Sequence, residues 1–571
     1  MAPIETIHIE HTLATEDDPH EAALEDNPER AQRPTGMTLL AIFSLSLGFM
    51  GPISCAFALV TGVLVQIGLS LGDTSTITWV VGGWSIASSV SFSIAGALSD
   101  IYGRRWVIVC GQVLSFVGSI VAATAKSVSI VVIGSTMVGF GCGMVFVSYA
   151  GISELVPNKW RGAALAVSEV MISLPFGVPS VLIGNALNQN TAAGWRWCYY
   201  LAAITSALSL LGTLAFYFPP SRPLQDHERT RWQQTRDLDL VGLALYTGGL
   251  TTFLVGLQSA GQEAKGWQST KVIALLVAGL VTLLCCFLYD FLVASKPVFP
   301  YRIFRQIRDV TLLLAVAFLA GLIYYTMSAL YPQGSLYMYT TDATQIGLIA
   351  LPNGVAQFIF GAIAPALISK IKHLKLQLLS ALVLQTVFVA LGAIAFPNRA
   401  AWSAFQVFAI GPFAFITVLC YVITGLNVPL RYLGLASGLV GTFRSMGGAV
   451  GNAVFNTILN SSFSARVGGS VAAAAAAHGF DMSRVGELIG AAIANASGAP
   501  YAFERIPGVT VTPDLQAAAA MAVREAYVHA YRILFLATIP FGVVTVLSAC
   551  FIRDPSRYLT NHTAVQMEKK W

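Results

Sequence analysis

The sequence predicts an all-α polytopic membrane protein, from its composition and from the placement of its charges. Of the 571 residues, 55% are hydrophobic and only 11% are charged, whereas a soluble domain carries roughly 25% charged residues. The apolar residues gather in runs of about 20, the length that a helix needs to cross the hydrocarbon core of a bilayer. The charged residues lie in the short intervals between these runs. We therefore expect a lipid bilayer around the chain and no nucleic-acid partner.

The apolar runs predict fourteen transmembrane helices with both termini in the cytosol. With the N-terminus inside, the short cytosolic loops hold sixteen Lys and Arg and the short outer loops hold five, and basic residues in short loops favour the cytosolic side. Residues 1–36 hold nine acidic residues and no apolar core, which predicts a disordered acidic cytosolic tail. The predicted spans are 38–66, 77–100, 105–125, 128–152, 163–187, 197–218, 239–259, 270–294, 310–337, 343–369, 375–396, 401–425, 433–460 and 530–552.

An even number of spans places the one long loop, residues 461–529, on the outer side. The loop contains two helical-looking stretches, Ala472–Ala477 and Leu515–Val523. Neither stretch is long enough to span a bilayer, so we expect both to pack as surface helices. The loop also contains the sequon Asn495-Ala-Ser, which predicts N-glycosylation if the protein passes through a secretory pathway.

A weak internal repeat predicts two similar halves. The segment Trp195–Ile204 at the sixth span resembles Tyr531–Ile539 at the fourteenth, and parallel repeats of this kind build many carriers. The offset leaves two extra helices between the halves. The predicted organisation is a six-helix bundle over 37–220, two linker helices with flanking cytosolic loops over 221–308, a second six-helix bundle over 309–553, and a cytosolic tail over 554–571.

Four short motifs stand out from the apolar background. The first, Gly96–Arg105, has the pattern Gly-x-Leu-x-Asp-x-x-Gly-Arg-Arg between the second and third spans. The others are the Glu154–Gly162 turn, Trp195–Trp197 and Arg444–Gly451 in the thirteenth span. Glycines in such motifs let two helix backbones approach where any side chain would intrude.

Together these motifs resemble the fourteen-spanner drug:proton antiporter branch of the major facilitator superfamily, over residues 38–555. The wording of the first two motifs is most similar to the fungal trichothecene efflux pump family. The resemblance implies the major facilitator fold, with two six-helix bundles plus two extra central helices. It also implies an export function that uses protons.

The resemblance further implies a cytosolic latch that stabilises the outward-facing state. In this latch Asp100 would face the N-terminal end of a helix from the other half, where the helix dipole favours a carboxylate. The latch residues are Gly96, Asp100, Gly103, Arg104 and Arg105. The same charges also serve as topology anchors. Both interpretations apply to the residues of the cytosolic turn, which are Glu154, Pro157, Arg161 and Gly162.

Two charged residues inside the predicted spans are functional candidates, because a charge in the hydrocarbon region is expensive. Arg444 lies about eleven residues into the thirteenth span, which predicts a cavity or interface charge with an acidic partner. Glu169 lies eight residues after Arg161, or about 12 Å along a helix. Glu169 either carries the coupling proton or forms a salt bridge to Arg161 or another basic loop residue.

The glycines that follow Arg444 predict tight helix packing. Gly447, Gly448 and Gly451 form a stripe of small residues, and such stripes permit close contact between transmembrane helices.

Two differences from the antiporter pattern bear on the proton route. Ser135 stands in the fourth span where the branch carries an Arg. The fifth span, over Leu174–Gly184, keeps prolines and glycines but not the order of the Gly-Pro-x-x-Gly-Gly signature.

Polar and aromatic residues of the ninth and tenth spans are candidates for a substrate cavity: Tyr324, Tyr325, Asn353 and Gln357. The leading hypothesis is export of a hydrophobic or amphipathic small molecule, such as a toxin, by a monomer in the plasma membrane, with a vacuolar or vesicle membrane as the alternative. Uptake of a siderophore-iron chelate and a non-transporting membrane sensor stay open. We expect no enzyme, cofactor or metal site, because no histidine lies in a span and no phosphate-binding loop is present.

Overall fold

The structure, a computed structural model, describes residues 35–73, 76–219, 239–260, 266–294, 304–428, 433–496, 502–506 and 511–560. Nearly all of the predicted acidic tail lies outside the described residues. The same holds for most of the loop after the sixth span and for the last residues of the C-terminal tail.

The described residues form helices and turns, with no strand among them. Helices are expected because a helix satisfies its backbone hydrogen bonds internally. The lipid hydrocarbon offers no hydrogen-bond partners to backbone groups. The all-α membrane architecture is confirmed. The main helices are α1 (Gly36–Gly62), α2 (Trp79–Tyr102), α3 (Arg104–Ala123), α4 (Val128–Leu155), α5 (Arg161–Ser173), α6 (Ser180–Asn190), α7 (Arg196–Phe216), α8 (Leu240–Ala260), α9 (Thr270–Leu292), α10 (Ile307–Met338), α11 (Ala343–Ala366), α12 (Leu374–Ile394), α13 (Arg399–Asn427), α14 (Leu433–Ala477), α15 (Val485–Ala496) and α16 (Pro513–Cys550).

Twelve helices in the described part of the chain are long and apolar enough to cross a membrane. Two of the predicted spans are not among them. The fifth span is divided into α5 and α6 by a segment that contains Pro175 and Pro179, because proline lacks the N–H of a helical hydrogen bond and restricts the residue before it. The thirteenth span, α14, is long but rich in Gly, Ala and Ser. The count of fourteen spans therefore stays a prediction.

The segment 461–529 is predicted from the sequence as a loop with surface helices. Its described residues are mostly helical, and the helices at its two ends continue the membrane helices. α14 has 45 residues, or about 68 Å, which is more than twice the thickness of the hydrocarbon core. α16 begins at Pro513, well before the predicted span. The two extensions pack together, and the Phe463 and Tyr527 rings stack with centroids 4.0 Å apart. Alanine-rich stretches favour helix, and this packing gives them a buried face.

The N-terminal half, α1–α7, and the C-terminal half, α10–α16, meet along two seams. α2 packs against α14, and α5 with α6 packs against α11. The linker helices α8 and α9 pack on each other, and α8 also contacts α2 and α14. At that junction Ser93 accepts a hydrogen bond from the Tyr246 hydroxyl at 3.1 Å, and its hydroxyl lies 2.8 Å from that of Thr442.

Candidate functional site

The turn between α2 and α3 lies at Gly103, and it marks one end of the helix bundle, here called the Gly103 end. Gly103 has a φ of +88°, a backbone conformation that glycine adopts without steric cost. About two helical turns earlier, Gly96 lies against α14. A Cβ on Gly96 would overlap the Gly434 carbonyl group and lie 3.3 Å from the Gly438 Cα. The two halves are therefore in backbone contact at the Gly103 end.

Asp100 connects the two halves through hydrogen bonds to the first turn of α14. Its carboxylate accepts the Leu435 N–H at 2.9 Å and the Gly434 N–H at 3.2 Å. These N–H groups lie at the start of a helix, where they have no partner within the helix and the dipole favours an anion. Asp100 is only 9% exposed, so the interaction is shielded from water.

Arg104 is the centre of a buried ion-pair network within the N-terminal half. Its guanidinium lies 2.7 Å from the Asp100 carboxylate and 2.8 Å from that of Glu154. It also donates to the Ser99 hydroxyl at 2.5 Å. Arg104 is 2% exposed, and removing one partner from a buried ion pair leaves an uncompensated charge. The network therefore holds Asp100 in position against α14.

Arg105 does not join this network. It donates to the Leu214 carbonyl oxygen at 2.9 Å, and its guanidinium lies 4.1 Å from the centroid of the Phe218 ring. Both contacts stay within the N-terminal half. The two adjacent arginines of the motif therefore have different contacts. Arg104 belongs to the ion-pair network, and Arg105 does not.

A second link between the halves comes from the Glu154–Gly162 turn. Arg161 donates to the Gly425 carbonyl oxygen of α13 at 2.8 Å and to the Ser153 carbonyl oxygen of α4 at 3.1 Å. A Cβ on Gly162 would lie 2.7 Å from the Pro365 carbonyl oxygen of α11. Pro157 precedes a short 3₁₀ turn, Asn158–Trp160, that leads into α5.

The described start of the C-terminal tail also contacts both halves at this end. The Lys159 N–H donates to the Thr560 carbonyl oxygen at 3.0 Å. The Leu374 N–H donates to the Ser556 hydroxyl at 2.8 Å. Residues 556–560, which sequence reasoning placed in a tail, therefore lie between α5 and α12.

Glu169 lies on α5 in the middle of the seam and faces the C-terminal half. Its Oε1 accepts the Tyr149 hydroxyl at 2.6 Å. A Cβ on Gly361 of α11 would lie 3.2 Å from Glu169 Oε2. Glu169 is 7% exposed. In the described part of the chain it forms no ion pair with Arg161, whose guanidinium donates to carbonyl oxygens.

Arg444 lies on α14 and reaches the same seam from the C-terminal half. Its guanidinium carbon lies 4.9 Å from the centroid of the Phe146 ring and 6.0 Å from that of Phe413, within the range of cation–π attraction. Arg444 and Glu169 are within electrostatic range of each other. Among the described residues, however, Arg444 forms no salt bridge.

The four candidate cavity residues form one chain of contacts beside Arg444. The Tyr324 hydroxyl donates to Gln357 Oε1 at 3.0 Å, and the Gln357 amide donates to Asn353 Oδ1 at 3.4 Å. The Tyr324 ring stacks on Phe413 with centroids 3.9 Å apart and contacts Tyr325 at 5.1 Å. All four residues are half-buried.

The glycine stripe of α14 packs against α10. A Cβ on Gly447 would overlap the Phe318 carbonyl group, and one on Gly451 would lie 2.5 Å from the Leu322 carbonyl oxygen. A Cβ on Gly448 would lie 2.5 Å from the Tyr325 ring. The stripe therefore brings α14 close to α10 and places Arg444 next to the tyrosines.

Sequence reasoning missed the aromatic residues that surround the two charges. Phe146 and Tyr149 lie one turn apart on α4, and their rings stack with centroids 5.2 Å apart. Tyr421 of α13 lies 4.5 Å from Tyr149 across the seam. The spacing of Phe146 and Tyr149 was a usable signal, because residues three apart share one face of a helix. Nothing in the sequence paired them with α13.

Asn495 lies near the end of α15 and is half-buried. Part of its sequon lies outside the described residues.

Comparison with known proteins identifies the family. The chain matches the fungal trichothecene efflux pump (TRI12) family over residues 31–570. The chain belongs to this family. It is 26% identical over 497 residues to the trichothecene efflux pump TRI12 of Fusarium sporotrichioides, covering 85% of this chain and 81% of that protein. It is 27% identical over 503 residues to the MFS-type transporter prx5 of Penicillium rubens, covering 84% of this chain and 89% of that protein.

Solved structures confirm the major facilitator fold. The human organic anion transporter MFSD10 (TETRAN) superposes with a TM-score of 0.54 at 14% identity, covering 90% of this chain and 100% of that one. The proton:xylose symporter XylE superposes with a TM-score of 0.51 at 15% identity, covering 82% of this chain and 95% of that one. These likenesses show the fold alone.

Family and fold together make the chain an integral membrane transporter for small molecules and not an enzyme. The resemblance that the four motifs indicated is confirmed. The relatives include trichothecene efflux pumps, which gives no support to siderophore uptake.

Proposed function

We propose that this transporter exports a hydrophobic or amphipathic small molecule, such as a toxin or another secondary metabolite, in exchange for protons. The efflux pumps in its family support the direction of transport. The observation that carries the proton exchange is the placement of Glu169 and Arg444, one from each half, at the middle of the seam.

The position of Glu169 suits a residue that exchanges protons with each side in turn. The carboxylate belongs to the N-terminal half and lies against Gly361 of the C-terminal half. Any movement of one half against the other changes its cover. Carriers of this class work by such rocking motions around a central site.

Arg444 supplies the positive charge that this mechanism needs at the centre. The antiporter branch carries an Arg in the fourth span, but here Ser135 occupies that place and its hydroxyl lies 2.7 Å from that of Tyr199. Arg444 reaches the seam from α14 and is within electrostatic range of Glu169, Tyr149, Tyr325 and Tyr421. The pair is neutral when Glu169 is ionised and carries one positive charge when Glu169 is protonated.

The network at the Gly103 end serves as the latch that holds one conformation. The Asp100 and Arg161 side chains join the halves there through hydrogen bonds to backbone atoms. We assign the Gly103 end and both termini to the cytosol, and the excess of basic residues in the loops on that side supports the assignment. Breaking these bonds opens the cytosolic side, and forming them favours the outward-facing state.

We place the transporter in the plasma membrane as a monomer, with residues 461–529 outside the cell and Asn495 as the glycosylation site. A protease-accessible C-terminal tag on intact cells would contradict this orientation.

The proposal is tested in inside-out membrane vesicles that contain the protein. A radiolabelled trichothecene is the probe, because the family is described by that substrate. An acidic lumen should drive accumulation of the probe, and a protonophore should abolish it. Vesicles without the protein serve as the control. Accumulation that is unchanged by the protonophore would contradict proton exchange, and no accumulation above the control would contradict export of this compound class.

A further inference from the structure

The guanidinium of Arg444 offers hydrogen-bond donors that the described protein does not use. Its Nε is buried and has no acceptor among the described residues. The residue as a whole is half-buried. A guanidinium has five N–H donors and no acceptor, and a buried donor without a partner is unfavourable.

The two rings beside Arg444 hold the guanidinium without satisfying its N–H groups. Phe146 belongs to α4 and Phe413 to α13, with centroids 4.9 Å and 6.0 Å from the guanidinium carbon. Cation–π attraction acts on the charge through a ring face. It supplies no oxygen acceptor.

Tyr421 adds a second group without a partner at the same place. Tyr421 is 4% exposed, and its hydroxyl has no hydrogen-bond partner among the described residues. Its ring lies 4.5 Å from that of Tyr149, and it is within electrostatic range of Arg444. Most buried polar groups in proteins are hydrogen-bonded, so the Tyr421 hydroxyl and the nearby Arg444 guanidinium together form a group of donors without an acceptor.

Glu169 does not supply the acceptor in this conformation. Its Oε1 accepts the Tyr149 hydroxyl at 2.6 Å, and among the described residues it forms no ion pair with Arg444. The acceptor for Arg444 and Tyr421 is therefore one that a bound molecule can supply. The stacked rings of Tyr324 and Phe413, with centroids 3.9 Å apart, provide an apolar surface for the rest of such a molecule.

We propose that Arg444 and Tyr421 form a donor subsite that selects substrates by a carbonyl, ether or ester oxygen and disfavours permanent organic cations. This inference rests on the proposed export function and names the substrate chemistry of its central site. Arg444 contributes charge and several donors, and Tyr421 contributes one hydroxyl. A cationic head group is repelled by the positive charge of Arg444 and has no acceptor for its N–H groups.

The test compares two probes that share one body and differ in the head group. They are methyl 1-pyrenebutyrate, which is a neutral ester, and 4-(1-pyrenyl)butyl-trimethylammonium, which is a permanent cation. Binding to the full-length protein in lipid nanodiscs is measured by energy transfer from tryptophan to pyrene. The ester should bind about tenfold more tightly than the ammonium compound, as expected for hydrogen bonds to a charged donor.

Single substitutions test whether the preference for the ester arises from Arg444 and Tyr421. Tyr421→Phe removes one oxygen and should weaken ester binding about fivefold, with ammonium binding unchanged. Arg444→Gln should remove most of the preference between the two probes. Tyr331→Phe is the matched control, because Tyr331 is 1% exposed and its hydroxyl also has no partner among the described residues. Tyr331 packs in a different apolar cluster and should not affect binding.

The inference is overturned if the ammonium compound binds as tightly as the ester, if neither probe binds, or if Tyr421→Phe and Tyr331→Phe have the same effect. Ester binding that is displaced when chloride replaces gluconate would show that the donors hold an inorganic anion, which also overturns the substrate assignment. A lost preference with intact proton-driven efflux of the trichothecene contradicts the subsite alone. A retained preference without proton-driven efflux contradicts the proposed function alone.

Discussion

At the Gly103 end the two halves meet through charges that are paired, whereas in the middle of the seam they meet through charges that are held apart. Asp100 binds Arg104 and two backbone N–H groups of α14. Glu169 and Arg444 form no ion pair among the described residues, and each is surrounded by aromatic side chains instead. The pairing at the Gly103 end stabilises one arrangement of the helices. The separated charges in the middle remain available for a proton or a ligand.

Because of this difference, we expect substitutions in the two regions to have different effects. Removing one partner of a buried ion pair lowers the free energy of unfolding by roughly 3–5 kcal/mol. Glu169 and Arg444 form no ion pair among the described residues, so substituting one of them breaks no such pair. Substitutions at the Gly103 end should therefore change the balance between conformations, and those in the middle should change what is bound.

The largest effect is expected for Asp100→Asn. The variant keeps one acceptor oxygen for α14 but leaves Arg104 with a single carboxylate, so the link between the halves is weakened. Transport should be largely abolished while the amount of protein in the membrane is unchanged. Vesicle accumulation and immunodetection measure the two quantities. Arg104→Ala should behave in the same way.

A matched carboxylate controls for the change of charge. Asp309 pairs with Arg553 at 3.4 Å, and the Arg553 side chain is 66% exposed. Exposed pairs contribute about 0–1 kcal/mol, so Asp309→Asn should transport normally. Full activity of both Asp100→Asn and Arg104→Ala would show that these charges only set topology.

A smaller effect is expected where the glycine stripe brings α14 against α10. The Cβ of Gly447→Ala would overlap the Phe318 carbonyl group, and overpacking of this kind costs about 1–3 kcal/mol. The thermal unfolding temperature in detergent should fall. Gly468→Ala lies on the same helix with no atom within 4 Å of the new Cβ and should unfold at or above the wild-type temperature. Equal unfolding temperatures for the two variants would contradict the close packing.

The smallest effect is expected for Arg105→Gln. Its contacts with Leu214 and Phe218 stay within the N-terminal half, so the latch should be intact and transport close to wild type. The vesicle assay used for Asp100→Asn provides the comparison. Loss of transport as severe as that of Asp100→Asn would place Arg105 in the latch after all.

The helical membrane architecture was predictable from the sequence because lipid imposes it on any long apolar run. The Gly103 turn was predictable because the motif is local and its glycines have a clear steric purpose. The helical extensions of α14 and α16 were not predicted, since stretches such as Ala472–Ala477 acquire a buried face only by packing on a distant segment.

The surroundings of Glu169 and Arg444 were the hardest part of the site to predict. Their depth in the spans was visible in the sequence, but the partner of Glu169 is Tyr149, twenty residues away on another helix. The hydroxyl of Tyr421 comes from the other half. Contacts between halves depend on how two bundles dock, and no local pattern reports that.

The most direct test of the proposed coupling is to measure two kinds of transport by Glu169→Gln in the same reconstituted vesicles. One is efflux driven by a pH gradient, and the other is exchange of labelled for unlabelled substrate at equal pH on both sides. If Glu169 carries the coupling proton, gradient-driven efflux should stop and exchange should persist, because exchange needs no net release of a proton. Loss of both activities together would indicate a structural role for Glu169, and wild-type efflux with normal pH dependence would remove it from the mechanism.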